Sequence, residues 1–211
     1  MSPQASETVI RYGVIGTGMM GVEHIQNILA LDHCVVTAVA DPHPESLDWA
    51  QAAVGAETSL AKFGTVEELI ASGLCDALVI ASPNFTHHDV LVPAIESGLH
   101  LLIEKPLCTT LDDCRAITDL VATRPADQVI WMGLEYRYMP PLQRLMAEIA
   151  AGTTGDVKMV AIREHRFPLL DKVDNWNRFS KNTGVTLVEK CCHFFDLMIQ
   201  ATASRPVRVK A

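Results

Sequence analysis

The sequence predicts an α/β fold, a doubly wound parallel sheet followed by a second, α+β domain that is left incomplete. Three observations carry this reading. Short apolar runs alternate with helix-like stretches from the start, a glycine-rich turn joins the first run to the first helix, and the alternation stops after Leu134.

Ile10–Ile15, Val35–Ala40, Ala77–Ala81, His100–Ile103 and Val129–Leu134 read as strands, short and apolar enough to be buried on both faces. Between them, Met20–Ala30, Glu45–Ala53, Val66–Ala71, His87–Ser97 and Leu111–Thr123 read as helices. Strand–helix alternation of this kind gives parallel strands joined by right-handed crossovers. Beyond Leu134, the pair Pro140-Pro141 opens a helix to Ala151, because proline suits the first helical turn. Gly152 to Gly155 ends it. Val157–Arg166 reads as a long strand, a polar loop containing Trp176 follows, Val185–Ala201 reads as one apolar helix, and Val207–Ala211 as a strand just beginning. The expected domains are 1–136 and 137–211, the second incomplete.

Composition narrows the function. Of 211 residues, 49% are hydrophobic and 20% charged, which is the balance of a globular protein. No apolar run approaches the roughly 20 residues of a membrane helix. Met1 to Thr8 lacks the basic and apolar regions of a signal peptide, so a cytoplasmic protein without a membrane partner is expected. The six cysteines, Cys34, Cys75, Cys108, Cys114, Cys191 and Cys192, show no paired two-residue spacing, and no metal site is expected. Residues 1–155 carry 7 basic against 19 acidic side chains and residues 156–211 carry 10 against 6, a net −12 and +4. An acidic body argues against nucleic acid as a partner. The basic tail suits an anionic substrate or an acidic surface, and equally an ordinary solvated face.

The turn after the first strand is Gly16-Thr17-Gly18-Met19-Met20-Gly21. In such a turn the first glycine permits the tight bend, the second lets backbone approach a pyrophosphate, and the third lets helix and strand pack closely. The pyrophosphate then meets the positive end of the following helix. Asp41 closes the second strand 20 residues past Gly21, where a carboxylate accepts from a ribose 2′-hydroxyl and repels a 2′-phosphate. No arginine follows it. The joint pattern predicts a Rossmann domain with NAD rather than NADP as cofactor; as a local element, Asp41 also suits a turn or cap before Pro42.

Three further stretches are more specific. Ser82-Pro83-Asn84-Phe85-Thr86-His87 follows one strand, Glu104-Lys105-Pro106 closes the next, and the stretch from Thr183 to Asp196 contains Glu189-Lys190-Cys191-Cys192-His193. Together they resemble the glucose-fructose oxidoreductase, inositol dehydrogenase and rhizopine catabolism (Gfo/Idh/MocA) family of NAD(P)-dependent oxidoreductases, from about Ile10 to Asp196. The resemblance implies that Lys105 sits beside the nicotinamide and the substrate hydroxyl, and that Glu104 contacts cofactor or braces that lysine. It implies a cis bond before Pro106, places Ser82, Pro83, Asn84 and His87 on the cofactor pocket, and pairs His193 with the acid Glu189 at the substrate hydroxyl.

From spacing alone, Glu189, His193, Asp196 and Gln200 form one stripe on an apolar helix, either its solvent face or the wall of a cleft. The resemblance favours the cleft. Alcohol oxidation needs a base for the hydroxyl proton and an acceptor for hydride, and a histidine beside a carboxylate with a desolvated lysine suits the first task. Lys105 as a surface charge and His193 as a satisfied core histidine are the plainer alternatives. The chain departs from the family pattern in Glu189, where aspartate is common, in Val185, where a glycine is common and positive φ is expensive, and in length. The expected function is hydride transfer between a nicotinamide and a secondary alcohol of a sugar, inositol or related polyol, with homo-oligomerisation through the second domain if that is complete. The alternative is a truncated, non-catalytic nucleotide-binding relative or fragment.

Overall fold

A computed structural model of the chain describes residues 8–165 and 170–210. Among them, β1 (Ile10–Ile15), β2 (Cys34–Ala40), β3 (Ala61–Phe63), β4 (Ala77–Ile80), β5 (His100–Glu104) and β6 (Ile130–Gly133) form one parallel sheet. The strand order is β3-β2-β1-β4-β5-β6. Chain direction across the sheet reverses between β1 and β4, and ligands of open α/β sheets bind outside the strand ends at such a point. Helices α1 (Met19–Leu29), α2 (Pro44–Val54), α3 (Val66–Ala71), α4 (His87–Glu96) and α5 (Leu111–Ala122) make the crossovers.

The period of two along each strand sorts the core into two layers. Leu78 and Ile80 pack with Ile15, Leu91, Ile103 and Ile117 on one face, and Val79 packs with Val14, Ile25, Ile28 and Val39 on the other. Helix α1 lies on the second face because Gly21, Ile25 and Ile28 recur four and three residues apart. The short α3 is held by a capping box, Thr65 accepting from Glu68 N while the Glu68 side chain returns to Thr65 N.

The sequence expectation missed β3, whose three residues carry no apolar run and pair with β2 alone. It also placed a strand at Val157–Arg166. Residues 157–165 form none, Met159 is 85% exposed, and Arg166 lies outside the described residues. A strand needs a pairing neighbour, and among the described residues none pairs with this segment. Residues 207–210 likewise form no strand, and Ala211 lies outside the description.

The expected helix Val185–Ala201 is broken. After α6 (Pro140–Ala150), the chain forms α7 (Ser180–Thr183), α8 (Val185–Glu189) and α9 (Cys191–Thr202). Gly184 and Val185 both hold positive φ, +73° and +66°, and Lys190 stands between α8 and α9, still right-handed but widened to φ −109°. Val185 therefore keeps the left-handed backbone that its β-branch disfavours. The break separates Glu189 from His193, so they share no continuous helical stripe.

The 3-10 turn Glu135–Tyr138 after β6 docks α9. Arg137 Nε donates to Asp196 Oδ2 at 2.6 Å and Arg137 Nη2 to Asp196 Oδ1, while the Tyr136 ring stacks on His193 at 4.2 Å. No helix of the described residues is long and apolar enough to cross a membrane, and all six cysteines are free thiols.

Arg137→Met should destabilise the protein by roughly 2 kcal/mol, between the values for exposed and fully buried pairs, because it strands the Asp196 carboxylate. The guanidinium side chain is 39% exposed and the Asp196 side chain 10%, which places the pair between those limits. Urea unfolding measures this. A loss under about 0.5 kcal/mol, the scale of an ordinary surface change, would mean that the pair does not hold α9.

Candidate functional site

The carboxyl ends of β1, β2, β4 and β5 open onto a cleft of about 2340 Å³ whose far wall comes from residues 136–190. At its centre, Gly16 turns at φ +84°. A Cβ there would lie 2.4 Å from both Cα and N of Ser82, and one on Gly21 would lie 2.0 Å from the Gly16 carbonyl oxygen. Only glycine permits this packing. A Cβ on Gly18 would meet nothing within 4 Å, so backbone there faces open space. Gly18 caps α1 without a side-chain bond, and no acidic residue occupies the first turn. The exposed N–H groups and the helix dipole form an anion site.

Asp41 is 8% exposed and lines the cleft. Its Oδ2 accepts from Thr17 N at 2.8 Å and from Thr17 Oγ1 at 3.4 Å, and its Oδ1 from His43 N at 2.9 Å, which leaves a lone pair on Oδ1. Thr17 is fully buried, and its backbone fixes Asp41. Ser82, Pro83 and Asn84 line the cleft; Asn84 is 6% exposed, and its Nδ2 has no partner among the described residues. A buried amide donor without a partner on a cleft wall is suited to a polar ligand. The residues present thus fit a dinucleotide: an open turn, an uncapped helix end, a carboxylate with a free lone pair and an orphan donor.

His87 sits differently from the pocket position implied by the motif. It is fully buried between two pocket loops, with Nδ1 at 2.8 Å from Pro106 O and Nε2 at 3.1 Å from Ser82 O, and as a neutral ring it donates to one of these carbonyls. Burial pulls its pKa down against those carbonyl contacts.

Glu104 and Lys105 end β5 on the cleft floor, and the Lys105–Pro106 bond is cis. His24 Nε2 lies 2.8 Å from Glu104 Oε1, and Lys105 N donates to Glu104 Oε2 at 3.2 Å. Burial alone would lift the Glu104 pKa, but His24 and Lys105 together hold it below the ordinary carboxylate value. Lys172 reaches over this floor, its Nζ 3.9 Å from Met19 Sδ. Burial, reinforced by the Lys105 charge, lowers the Lys172 pKa. Burial raises that of Glu189, with Lys105 and Lys172 opposing.

The far wall holds groups that sequence reasoning missed. Tyr136 Oη donates to Glu164 Oε1 at 2.8 Å and contacts Lys190 Nζ, which also lies 3.1 Å from Glu164 Oε2. His193 lies behind the Tyr136 ring, its side chain 2% exposed, its Nε2 3.4 Å from Glu135 Oε1 and its Nδ1 without a partner among the described residues. Burial, with Lys105 and Lys190 adding to it, pulls the His193 pKa from 6.5 down to about 4.

Of the residues expected from sequence, Gly16, Gly18, Met19, Met20, Asp41, Ser82, Pro83, Asn84, Glu104, Lys105 and Glu189 converge on the cleft. Thr17, Gly21, His87 and His193 lie behind its surface and shape it from there. Tyr136 could have been found from its place just past a strand end, at the edge where such sheets bind ligands. Glu164 and Lys172 lie in irregular chain and carried no pattern.

Comparison with known proteins agrees with this geometry. Residues 10–131 match the profile of an oxidoreductase family with an NAD-binding Rossmann fold, and residues 147–200 match the C-terminal alpha/beta domain of that family. An inositol 2-dehydrogenase of Corynebacterium glutamicum is 31% identical over 95% of the chain and 56% of its own length. The rhizopine catabolism protein MocA of Rhizobium meliloti is 27% identical over 96% of the chain and 60% of its own. The chain thus spans just over half the length of these curated relatives. The solved structure of a scyllo-inositol dehydrogenase from Lactobacillus casei with bound NAD(H) and scyllo-inositol superposes with a TM-score of 0.76. It is 22% identical and covers 93% of this chain and 57% of that one. A myo-inositol 2-dehydrogenase from Lactobacillus plantarum gives 0.75 at 20% identity, over 94% and 57%. At such identities the likeness is one of fold.

His193 gives a prediction for stability against pH. Its folded-state pKa is depressed, so the unfolded chain binds the extra proton between about pH 4 and the usual 6.5. The stabilisation is full above 6.5 and is lost as pH falls towards 4, on the order of 3 kcal/mol over the whole window. His193→Gln should flatten that slope when urea unfolding is compared at about pH 5 and pH 7. Equal slopes in both proteins would mean that His193 is not buried neutral.

Proposed function

The chain belongs to the Gfo/Idh/MocA oxidoreductase family, and from that premise we propose that its protein oxidises a secondary alcohol of an inositol, sugar or related polyol with NAD, or runs the reverse reduction. One observation carries the reading: the glycine turn, Lys105 and Glu189 open onto a single cleft at the point where the strand order reverses. The relatives named as inositol dehydrogenases support the substrate class.

The NAD-binding fold supplies a hydride acceptor when loaded. This chain's residues do the rest. The α1 end and the Gly18 backbone face the pyrophosphate, and Asp41 offers its Oδ1 lone pair to the ribose. Lys105, braced by Glu104, holds the substrate oxygen at the floor. Glu189 shares the cleft with Lys105, whose charge it feels, and the far wall of the cleft takes the hydroxyl proton. Asp41 favours NAD over NADP, because its buried carboxylate would meet a 2′-phosphate with like charge.

Titration of NADH and NADPH by ligand fluorescence should show NADH binding at least about 10-fold tighter, a difference of some 1.4 kcal/mol. Tighter NADPH binding would overturn the assignment of Asp41. With myo-inositol and scyllo-inositol as substrates, Lys105→Met should cut kcat by about 100-fold or more while NADH affinity stays within about 3-fold, the signature of a group acting on substrate. A Lys105 variant with normal turnover would show that the floor of the cleft is not where the hydroxyl sits.

A further inference from the structure

On the far wall of the cleft, three side chains form a closed hydrogen-bonded triangle. Tyr136 Oη lies 2.8 Å from Glu164 Oε1, Lys190 Nζ lies 3.1 Å from Glu164 Oε2, and Lys190 Nζ touches Tyr136 Oη. All three line the cleft, whereas His193 does not. The Tyr136 ring covers the His193 ring at 4.2 Å with only 9° between their planes. A ligand in the cleft therefore meets the phenol before the imidazole.

The directions of these bonds are fixed by chemistry. An ammonium only donates, so Lys190 gives a hydrogen to Tyr136 Oη and to Glu164. The one phenolic hydrogen then goes to Glu164 Oε1. Tyr136 Oη is left with a lone pair to receive a further proton. Lys190 also stands 4.5 Å from the centre of the Tyr136 ring, where its charge favours electron density on that ring.

We propose that Tyr136 is the acid–base residue facing the substrate, working as a relay with Glu164 under the charge of Lys190. The inference rests on the polyol-oxidising reading above. In the oxidation, the carbon-bound hydrogen leaves with its electron pair to the nicotinamide ring and the C–O bond becomes C=O. The hydroxyl proton passes to Tyr136 Oη as the phenolic proton passes to Glu164 Oε1. The products are ketone, reduced nicotinamide and protonated Glu164, whose side chain is 27% exposed and returns the proton to water. Reduction runs the same path backwards. His193 is then a positioning residue, the plate against which the Tyr136 ring is stacked.

The test uses the whole protein with NAD, myo-inositol and scyllo-inositol as substrates, and an inosose as the ketone. Tyr136→Phe keeps the ring and its stack on His193. It should lower kcat by about 100-fold or more, within the range of general acid–base effects, and leave NADH affinity within about 3-fold. It should also weaken inosose binding to the NADH-loaded protein by about 10-fold, read from NADH fluorescence, since one hydrogen bond to the ketone is lost. Glu164→Gln should lower kcat by about 10-fold, and the double variant should be no slower than Tyr136→Phe alone, as for groups acting in series. If Tyr136→Phe turns over within about 3-fold of the parent while His193→Ala is inactive, the relay is overturned and polyol oxidation stands. If the parent oxidises neither inositol and binds no inosose, the functional reading falls and takes the relay with it.

Discussion

The near wall of the cleft depends on one steric fact: between Gly16 and Ser82 there is no room for a side chain. The end of β1 and the loop after β4 approach until a Cβ on Gly16 would stand 2.4 Å from the Ser82 backbone. That approach lets Ala81 N donate to Ile15 O and Gly16 N to Ala40 O, so three strand ends are tied at one turn. The absence of a Cβ on Gly21 then lets the start of α1 fold back over the Gly16 carbonyl. Strand, turn and helix end are thus set with the N–H groups of α1 pointing across the switch point. A single methyl group in that turn would push apart elements whose spacing defines the cleft.

The far wall is held by charge placed deliberately inside. The Arg137–Asp196 pair gives a half-exposed guanidinium to a nearly buried carboxylate, with both carboxylate oxygens engaged. Such a pair adds less to stability than its geometry suggests, because both ions lose water, but breaking it is expensive. It fixes direction more than it adds energy. With α9 so docked, the break at Lys190 turns Glu189 and Lys190 towards the cleft and leaves His193 inside. A straight helix from Val185 would have carried Glu189 and His193 on one face. The positive φ of Gly184 and Val185 starts the α8 turn that makes the difference.

The Rossmann half was legible because its information is local. The central strands are runs buried on both faces, α2 opens on a proline and α3 and α5 on a threonine cap, and the glycine turn has a mechanism for every glycine. The three-residue β3 escaped because an edge strand so short has no period to read. The second half was harder to read for a different reason. A segment of alternating character such as Val157–Arg166 reads as a strand from its pattern, but a strand is a property of a pair, and sequence does not display the partner. The site followed the same division. Gly16, Asp41, Asn84 and Lys105 could be placed from their motifs. Tyr136, Glu164 and Lys190 come from an irregular turn, a segment without secondary structure and a helix break, so only folding brings their polar atoms together.

At Asp41, the turn role and the cofactor role of one residue do not compete. As a turn aspartate it accepts the N–H groups of Thr17 and His43 and the Thr17 hydroxyl; as a cleft residue it keeps a lone pair on Oδ1 for a ribose. A carboxylate has about four acceptor sites, and the protein uses three of them. Cofactor preference is therefore coupled to loop geometry. Exchanging Asp41 for a small neutral residue would remove the repulsion of a 2′-phosphate, but it would also release the buried N–H of Thr17 and the part-buried N–H of His43 at the glycine turn. An unpaired buried donor costs about 1–3 kcal/mol, comparable with the selectivity to be gained. A protein with this turn can acquire a phosphate-binding arginine only if another acceptor first takes over the Thr17 and His43 N–H groups.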